Sequence, residues 1–325
     1  MIGYLTRKEQ PITYFMADNF VVCDSWFSAV PAQTMPNRFF AIGGQSAGHR
    51  DNPGITDLFL KMPTIFDKLP ADDWCVYSDN PTSLHMFHSF LYMVKAQRKQ
   101  RSLSRFLKDA AGGHLPKLSW ISPRFSWTDS WWGDVVLPGE ANDDHPPSDV
   151  ALGQQLLRRI YQAVSEGPKW QRTLLVVTYD EHGGFFDHVA PPKLDESEIQ
   201  SDEFPTRGLR VPTLLVSPLT QTDGPGRVFS ETMDHCSLLK LVCEWQGIDP
   251  FTPRISSGAI KSVLDAIPDG VTLADPPVAP PAPPSFAPKD AIPRSLDDND
   301  RLATDLAKRM REEFGDDLSV FEPVD

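Results

Sequence analysis

The chain has 325 residues, 40% hydrophobic and 23% charged, with a formal net charge of −13. That balance supports a globular protein with a substantial core and argues against nucleic acid as a partner, because phosphate backbones select basic surfaces. No apolar run is long enough to cross a bilayer, so a transmembrane segment is not expected. The N-terminal stretch MIGYLTRKEQPITYF lacks a charged start followed by an apolar run and does not read as a secretory leader. The cysteines Cys23, Cys75, Cys236 and Cys243 are widely spaced and read as buried thiols rather than a zinc set or a disulfide framework.

In chain order, "DWCVYSD" is a short strand candidate, residues 83–97 and 102–111 read as helices, and "KLSWISP" is a second strand. Residues 123–147 have no period and carry Trp127, Trp131 and Trp132, which marks a long loop whose indoles pack together or meet a lipid. The next segment, "SDVALGQQLLRRIYQAVSEGPKW", places apolar residues three and four apart from Val150 to Val164, the spacing of an amphipathic helix. Ser148 is its expected N-cap, with Asp149 in the first turn and Gly167-Pro168 as the stop. "TLLVVTYDE" is an unbroken apolar run of strand length, which suits a central strand covered on both faces. "RVPTLLVSP" is another, and "DHCSLLKLVCEWQG" is a helix closed by Gly247. Strands alternating with helices predict an α/β fold with a mainly parallel central sheet flanked by helices. The proline-rich residues 268–293 read as an extended linker, and 294–325 as a C-terminal helical tail.

Chemistry concentrates where "TLLVVTYDE" ends. Asp180, Glu181 and His182 follow the strand directly, then Gly183-Gly184, then Asp187 and His188. Sites in such sheets lie beyond the carboxyl ends of the strands, and paired acids there supply hard oxygen ligands for a divalent cation. Thr34, in "PAQTMPNRFF", reads from its own segment as a turn threonine or as a nucleophile, the latter only if a base or metal ionises it. His182 and His188 read as turn histidines or site groups, and His145 as a residue opening the helix. His235 reads either as structural at a helix start or as support for the site.

The blocks "FVVCDSWFSAVPAQTMPNRFF", "DDHPPSDVALGQQLL", "PKWQRTLLVVTYDEHGGFFDHVAPP", "GLRVPTLLVSPL" and "MDHCSLLKLV" occur in the order of the bacterial phosphoesterase family. That family contains phospholipases C and acid phosphatases, and the resemblance covers about residues 1–250. It implies an alkaline-phosphatase-like fold over 1–267 and metal-assisted hydrolysis of phosphate esters, either phospholipids or soluble esters. Carried over to this chain, it implies Thr34 as nucleophile forming a phospho-enzyme, and Asp180, Glu181 and Thr34 as ligands of a divalent metal ion. It also implies His145 and His182 near the phosphoryl group, and Asn37, Arg38 and His188 as substrate-binding residues. Members usually carry an E-N-x-S-F-D segment completing the metal site, which this sequence lacks. The alternative expectation is therefore an impaired member that binds phosphate esters or serves as a scaffold; a sulfatase- or phosphonatase-like enzyme is a further rival.

Overall fold

A computed structural model describes residues 4–52, 62–78, 99–124, 141–146, 148–199, 204–222, 224–269 and 273–284. In chain order it contains α1 (Pro11–Asn19), β1 (Val21–Cys23), β2 (Trp26–Phe27), α2 (Thr34–Gly43), α3 (Ile65–Lys68), β3 (Trp74–Tyr77), β4 (Gln100–Arg101) and α4 (Leu103–Ala111). There follow β5 (Leu118–Ile121), α5 (Val150–Ser165), β6 (Leu175–Thr178), β7 (Thr213–Val216), β8 (Arg227–Phe229), β9 (Met233–Asp234), α6 (Cys236–Gln246) and α7 (Pro253–Ser256). The expected helix at 83–97, the tryptophans of the 123–147 loop and the C-terminal tail lie outside the described residues.

The strands form three sheets, ordered β6-β7-β1-β8, β2-β9 and β4-β3-β5. Most pairings are parallel, as expected; β7 runs against both β6 and β1. Because β7 is reversed, the carboxyl ends of β1 and β6 share one edge of the sheet. Strand β7 is buried at every position, whereas β6 is only half-buried, since among the described residues it pairs along one edge.

The apolar run of β6 lacks alternation because both faces meet core. Leu175 and Val177 pack with α1, α4 and α5 around Ile12, Phe106 and Ile160, while Leu174 and Val176 pack with Trp26, Met233 and Val263. Register keeps the faces matched: Val177 lies opposite Leu214 and Val176 opposite Leu215. A third cluster clamps α2, whose Met35, Phe39, Phe40 and Ile42 pack on Trp74, Leu239 and Ile255. Thr34 and Arg38, four residues apart, are left as one stripe on the remaining face of that helix.

Two local readings change. Asp149, not Ser148, caps α5: its side chain accepts from Ala151 N–H, whereas the Ser148 hydroxyl is buried without a hydrogen-bond partner. Part of the expected linker is docked. Gln155, Arg158 and Tyr161 donate to the carbonyls of Pro283, Pro280 and Pro277. An extended proline-rich strand turns every three residues, so its carbonyls at that spacing face one helix. The four cysteines are free and buried, as expected.

Candidate active site

The approach to Thr34 is built by Asn37. Its Oδ1 accepts from Val30 N–H (3.0 Å), and its Nδ2 donates to the carbonyls of Ala32 (3.0 Å) and Gln33 (3.2 Å). Asn37 is fully buried, so its amide shapes the turn that delivers Thr34 to the first helical position of α2. No acidic side chain occupies that first turn, where Met35 N–H donates to Asn52 Oδ1 (2.8 Å), so the positive end of the helix dipole at Thr34 faces no carboxylate of its own turn.

One turn further on, Arg38 reaches the end of β6. Its Nε donates to Asp180 Oδ2 at 2.5 Å and a terminal nitrogen donates to Ser122 Oγ at 3.3 Å. This ion pair joins segments 142 residues apart and brings the threonine segment and the acidic pair into one place. The other Asp180 oxygen accepts Glu181 N–H (3.0 Å). His235 holds the Asp180 backbone: its Nε2 meets the Asp180 carbonyl at 2.8 Å, and its Nδ1 lies 3.3 Å from the Trp26 indole nitrogen. Indole can only donate, so Nδ1 accepts and Nε2 carries the proton. Burial lowers the His235 pKa, which keeps this neutral tautomer.

Glu181 is the meeting point of the histidines. His145 Nε2 lies 3.7 Å from Oε1 and His182 Nδ1 3.5 Å from Oε2. Gly183 and Gly184 both take positive φ, which lets the chain curl so that Gly183 N–H donates to Glu181 at 2.7 Å. Burial, and then the charge of Asp180, push the Glu181 carboxyl above its ordinary range. His145 Nδ1 donates to the Pro146 carbonyl, so a second proton on that ring sits at Nε2, facing Glu181. His188 stands apart: it is exposed and meets Asp187, which is held by both ends of the Arg210 fork (2.7 and 2.9 Å).

Asp144, next to His145 in the chain, carries a largely buried carboxyl. It adopts φ 60° and accepts from the Tyr179 hydroxyl (2.6 Å), while its other oxygen is buried without a partner. A Cβ on Gly153 would lie 1.9 Å from that oxygen, so helix α5 needs glycine there. Burial pushes the Asp144 pKa up to about 6. A raised carboxyl stabilises the fold below the unfolded pKa and loses that contribution as pH rises through the folded one. Asp144→Asn should therefore gain stability relative to wild type between pH 4 and pH 7, by on the order of 3 kcal/mol. Urea unfolding across that range would show it; a constant difference would contradict the buried, ionising Asp144.

Asp180 and Glu181 are hard oxygen donors with limited exposure, and their mutual repulsion calls for positive charge. Among the described residues no three His, Cys, Asp or Glu side chains gather to hold a metal by themselves. The donors nonetheless fit a small divalent cation of the kind that binds through one or two carboxylates, water and a substrate phosphate.

Sequence reading missed the Arg38–Asp180 pair and the contact of His235 with Asp180. It also missed a buried network in which Arg207 and Arg254 surround Asp234 and Glu198, all at most 2% exposed at their side chains. Arg254 also donates to the Ala29 carbonyl (2.6 Å), tying this network to the turn before Thr34. The D-H-C string brought only Asp234 and His235 to notice, and nothing local marked Arg207, Arg254 or Glu198 as their partners.

Residues 1–248 match the sequence profile of the Phosphoesterase family. Non-specific phospholipase C6 of Arabidopsis thaliana is 38% identical over 248 residues, covering 70% of this chain and 45% of that protein. Phospholipase C A of Mycobacterium tuberculosis is 29% identical over 286 residues, covering 74% of this chain and 51% of that protein. The chain thus spans about half the length of these relatives. A crystal structure of a protein in the alkaline phosphatase superfamily from Vibrio parahaemolyticus superposes with TM-score 0.43 and 11% identity, covering 79% of this chain and 64% of that one.

Proposed function

The chain belongs to the Phosphoesterase family, and from that premise we propose that it hydrolyses phosphate esters with Thr34 as nucleophile. The observation that carries this reading is the Arg38–Asp180 ion pair, which joins α2, one turn beyond Thr34, to the acidic pair at the end of β6. Thr34 Oγ, its proton passed to solvent water, bonds to phosphorus as the ester P–O bond breaks. The leaving alkoxide takes a proton from His145 or His182, and solvent returns a proton to that histidine. Water then attacks the phosphothreonine, restores the hydroxyl and releases the phosphoryl product, with retention at phosphorus. The N-terminus of α2, with no acid in its first turn, and the Arg38 guanidinium favour negative charge on the phosphoryl oxygens. A divalent cation held by Asp180, Glu181 and the Thr34 hydroxyl would neutralise those oxygens further and ease ionisation of the threonine. The substrate class we infer is a phosphate ester of the kind phospholipases C cleave; Asn37 then acts by shaping the Thr34 turn, and His188 lines the outer rim.

The test uses p-nitrophenyl phosphate and its phosphorylcholine ester. Wild type should turn over at least one of them, and Asp180→Asn with Glu181→Gln should reduce kcat/KM by on the order of 10²-fold or more. Exhaustive chelation should reduce turnover too; unchanged turnover would remove the cation from the scheme. Phosphate binding without any turnover would instead make this a binding member of the family.

The leaving group discriminates the histidines. If His145 is the proton donor, His145→Ala should lose about 10²–10⁴-fold on an alkyl phosphate and far less on the nitrophenyl ester, whose phenolate leaves unprotonated. Equal losses on both would make His145 a positioning residue.

A further inference from the structure

We propose that Arg38 is a displaceable counter-cation: a divalent cation and the Arg38 guanidinium compete for Asp180, so the cation frees Arg38 for the phosphoryl group and the two ligands bind cooperatively. This rests on the reading of Asp180 and Glu181 as the cation's donors.

Both oxygens of Asp180 are engaged, Oδ2 by Arg38 Nε at 2.5 Å and Oδ1 by Glu181 N–H at 3.0 Å. The guanidinium and the carboxylate are both largely shielded, with side-chain exposures of 12% and 21%. A doubly charged ion at Asp180 would lie within a few ångström of the guanidinium, and in so shielded a place their repulsion outweighs one retained hydrogen bond. The cation can take Asp180 only as Arg38 leaves it.

The released side chain has a destination. Arg38 lies one helical turn from Thr34 on the same face, so its guanidinium can reach a phosphoryl group poised over Thr34. The planar fork matches two phosphate oxygens, as it matches a carboxylate. Phosphate draws Arg38 off Asp180 and opens the cation's seat; the cation expels Arg38 and opens the phosphate's. Linkage makes the effect equal in both directions.

Isothermal titration of the full chain with Mn²⁺ and inorganic phosphate tests this. In wild type, saturating phosphate should tighten Mn²⁺ by about 5- to 150-fold, and saturating Mn²⁺ should tighten phosphate equally. Direct contact between the two ions could contribute to that coupling, so the deciding arm omits phosphate. Arg38→Gln, with its competitor gone, should bind Mn²⁺ alone about tenfold tighter than wild type and show reduced coupling. Arg38→Lys should fall between and serves if the glutamine variant fails to fold; circular dichroism and a thermal melt report the fold. Asp180→Asn should abolish Mn²⁺ binding in either background. If Arg38→Gln or Arg38→Lys leaves Mn²⁺ affinity unchanged or weaker while Asp180→Asn abolishes it, the competition is overturned and the cation site stands. If no variant binds Mn²⁺ with or without phosphate, the cation site fails and the competition with it. The nucleophile assignment is decided separately, by the chemistry at Thr34.

Discussion

Thr34→Ala should lower kcat/KM for phosphate esters by on the order of 10³-fold or more, because it removes the atom that bonds to phosphorus. The fold should barely notice: Thr34 is half-buried at a helix start, and its turn is fixed by Asn37 rather than by its own hydroxyl. The stability change should stay within about 1 kcal/mol, the range of a substitution that breaks no buried network. Thr34→Ser keeps the hydroxyl and should retain activity within about tenfold of wild type, since serine serves as well in the same step. An alanine variant as active as wild type would make Thr34 a turn residue and leave the attack to water.

The largest effect on stability should come from Asp234→Ala. Its carboxylate is fully buried and accepts from Arg207 Nε (3.0 Å), Arg254 Nε (3.1 Å) and Cys236 N–H (2.8 Å). Burial alone would push this carboxyl up; Arg254 and Arg207 overcome it and hold the group below its ordinary range. Removing it leaves two buried guanidinium groups with Glu198 as their one carboxylate partner among the described residues, at a cost of about 3–5 kcal/mol. That is a large share of the total stability of a typical domain. Urea unfolding at neutral pH should register the loss as a lower midpoint with a similar slope. Because the folded pKa is depressed, the wild-type contribution is complete above the unfolded value near pH 4 and is lost on further acidification. Wild type and variant should therefore converge at low pH. A loss under about 1 kcal/mol at neutral pH would mean that the arginines find other partners or water. The network also braces the site, since Arg254 holds the Ala29 carbonyl and His235 follows Asp234.

Local pattern carried the elements well. The helices α5 and α6 appear where their apolar spacing places them, and Gly247 closes α6 in the left-handed conformation. The unbroken apolar run of β6 did signal core on both faces, and the abrupt change to Asp180-Glu181 marked the site end. Sheet order was not legible: the reversal of β7 and the outer position of β6 are set by pairings between distant segments, which leave no mark on a short window. The capping error at Ser148 arose because serine and aspartate both accept backbone donors, and only the packed helix start selects one. Within the site, residue types were readable but partners were not. Arg38 follows Thr34 closely enough to suggest a shared task, yet nothing local ties it to Asp180; the ion pair exists because α2 is clamped against its own cluster beside β6. Likewise the contact of His235 with Asp180 depends on β9 lying next to β2, which brings Trp26 to the same imidazole.

If Thr34 is the nucleophile, a phosphoryl group passes through its hydroxyl oxygen in every turnover. Acid-quenching the wild-type chain during turnover of a phosphate ester, digesting it and mapping phosphate by mass spectrometry tests this most directly. Phosphate is expected on Thr34, in the peptide containing Thr-Met-Pro-Asn-Arg, appearing within a turnover and absent from Thr34→Ala. Sustained hydrolysis with that peptide unmodified at every quench time, and with Thr34→Ala as active as wild type, would contradict it.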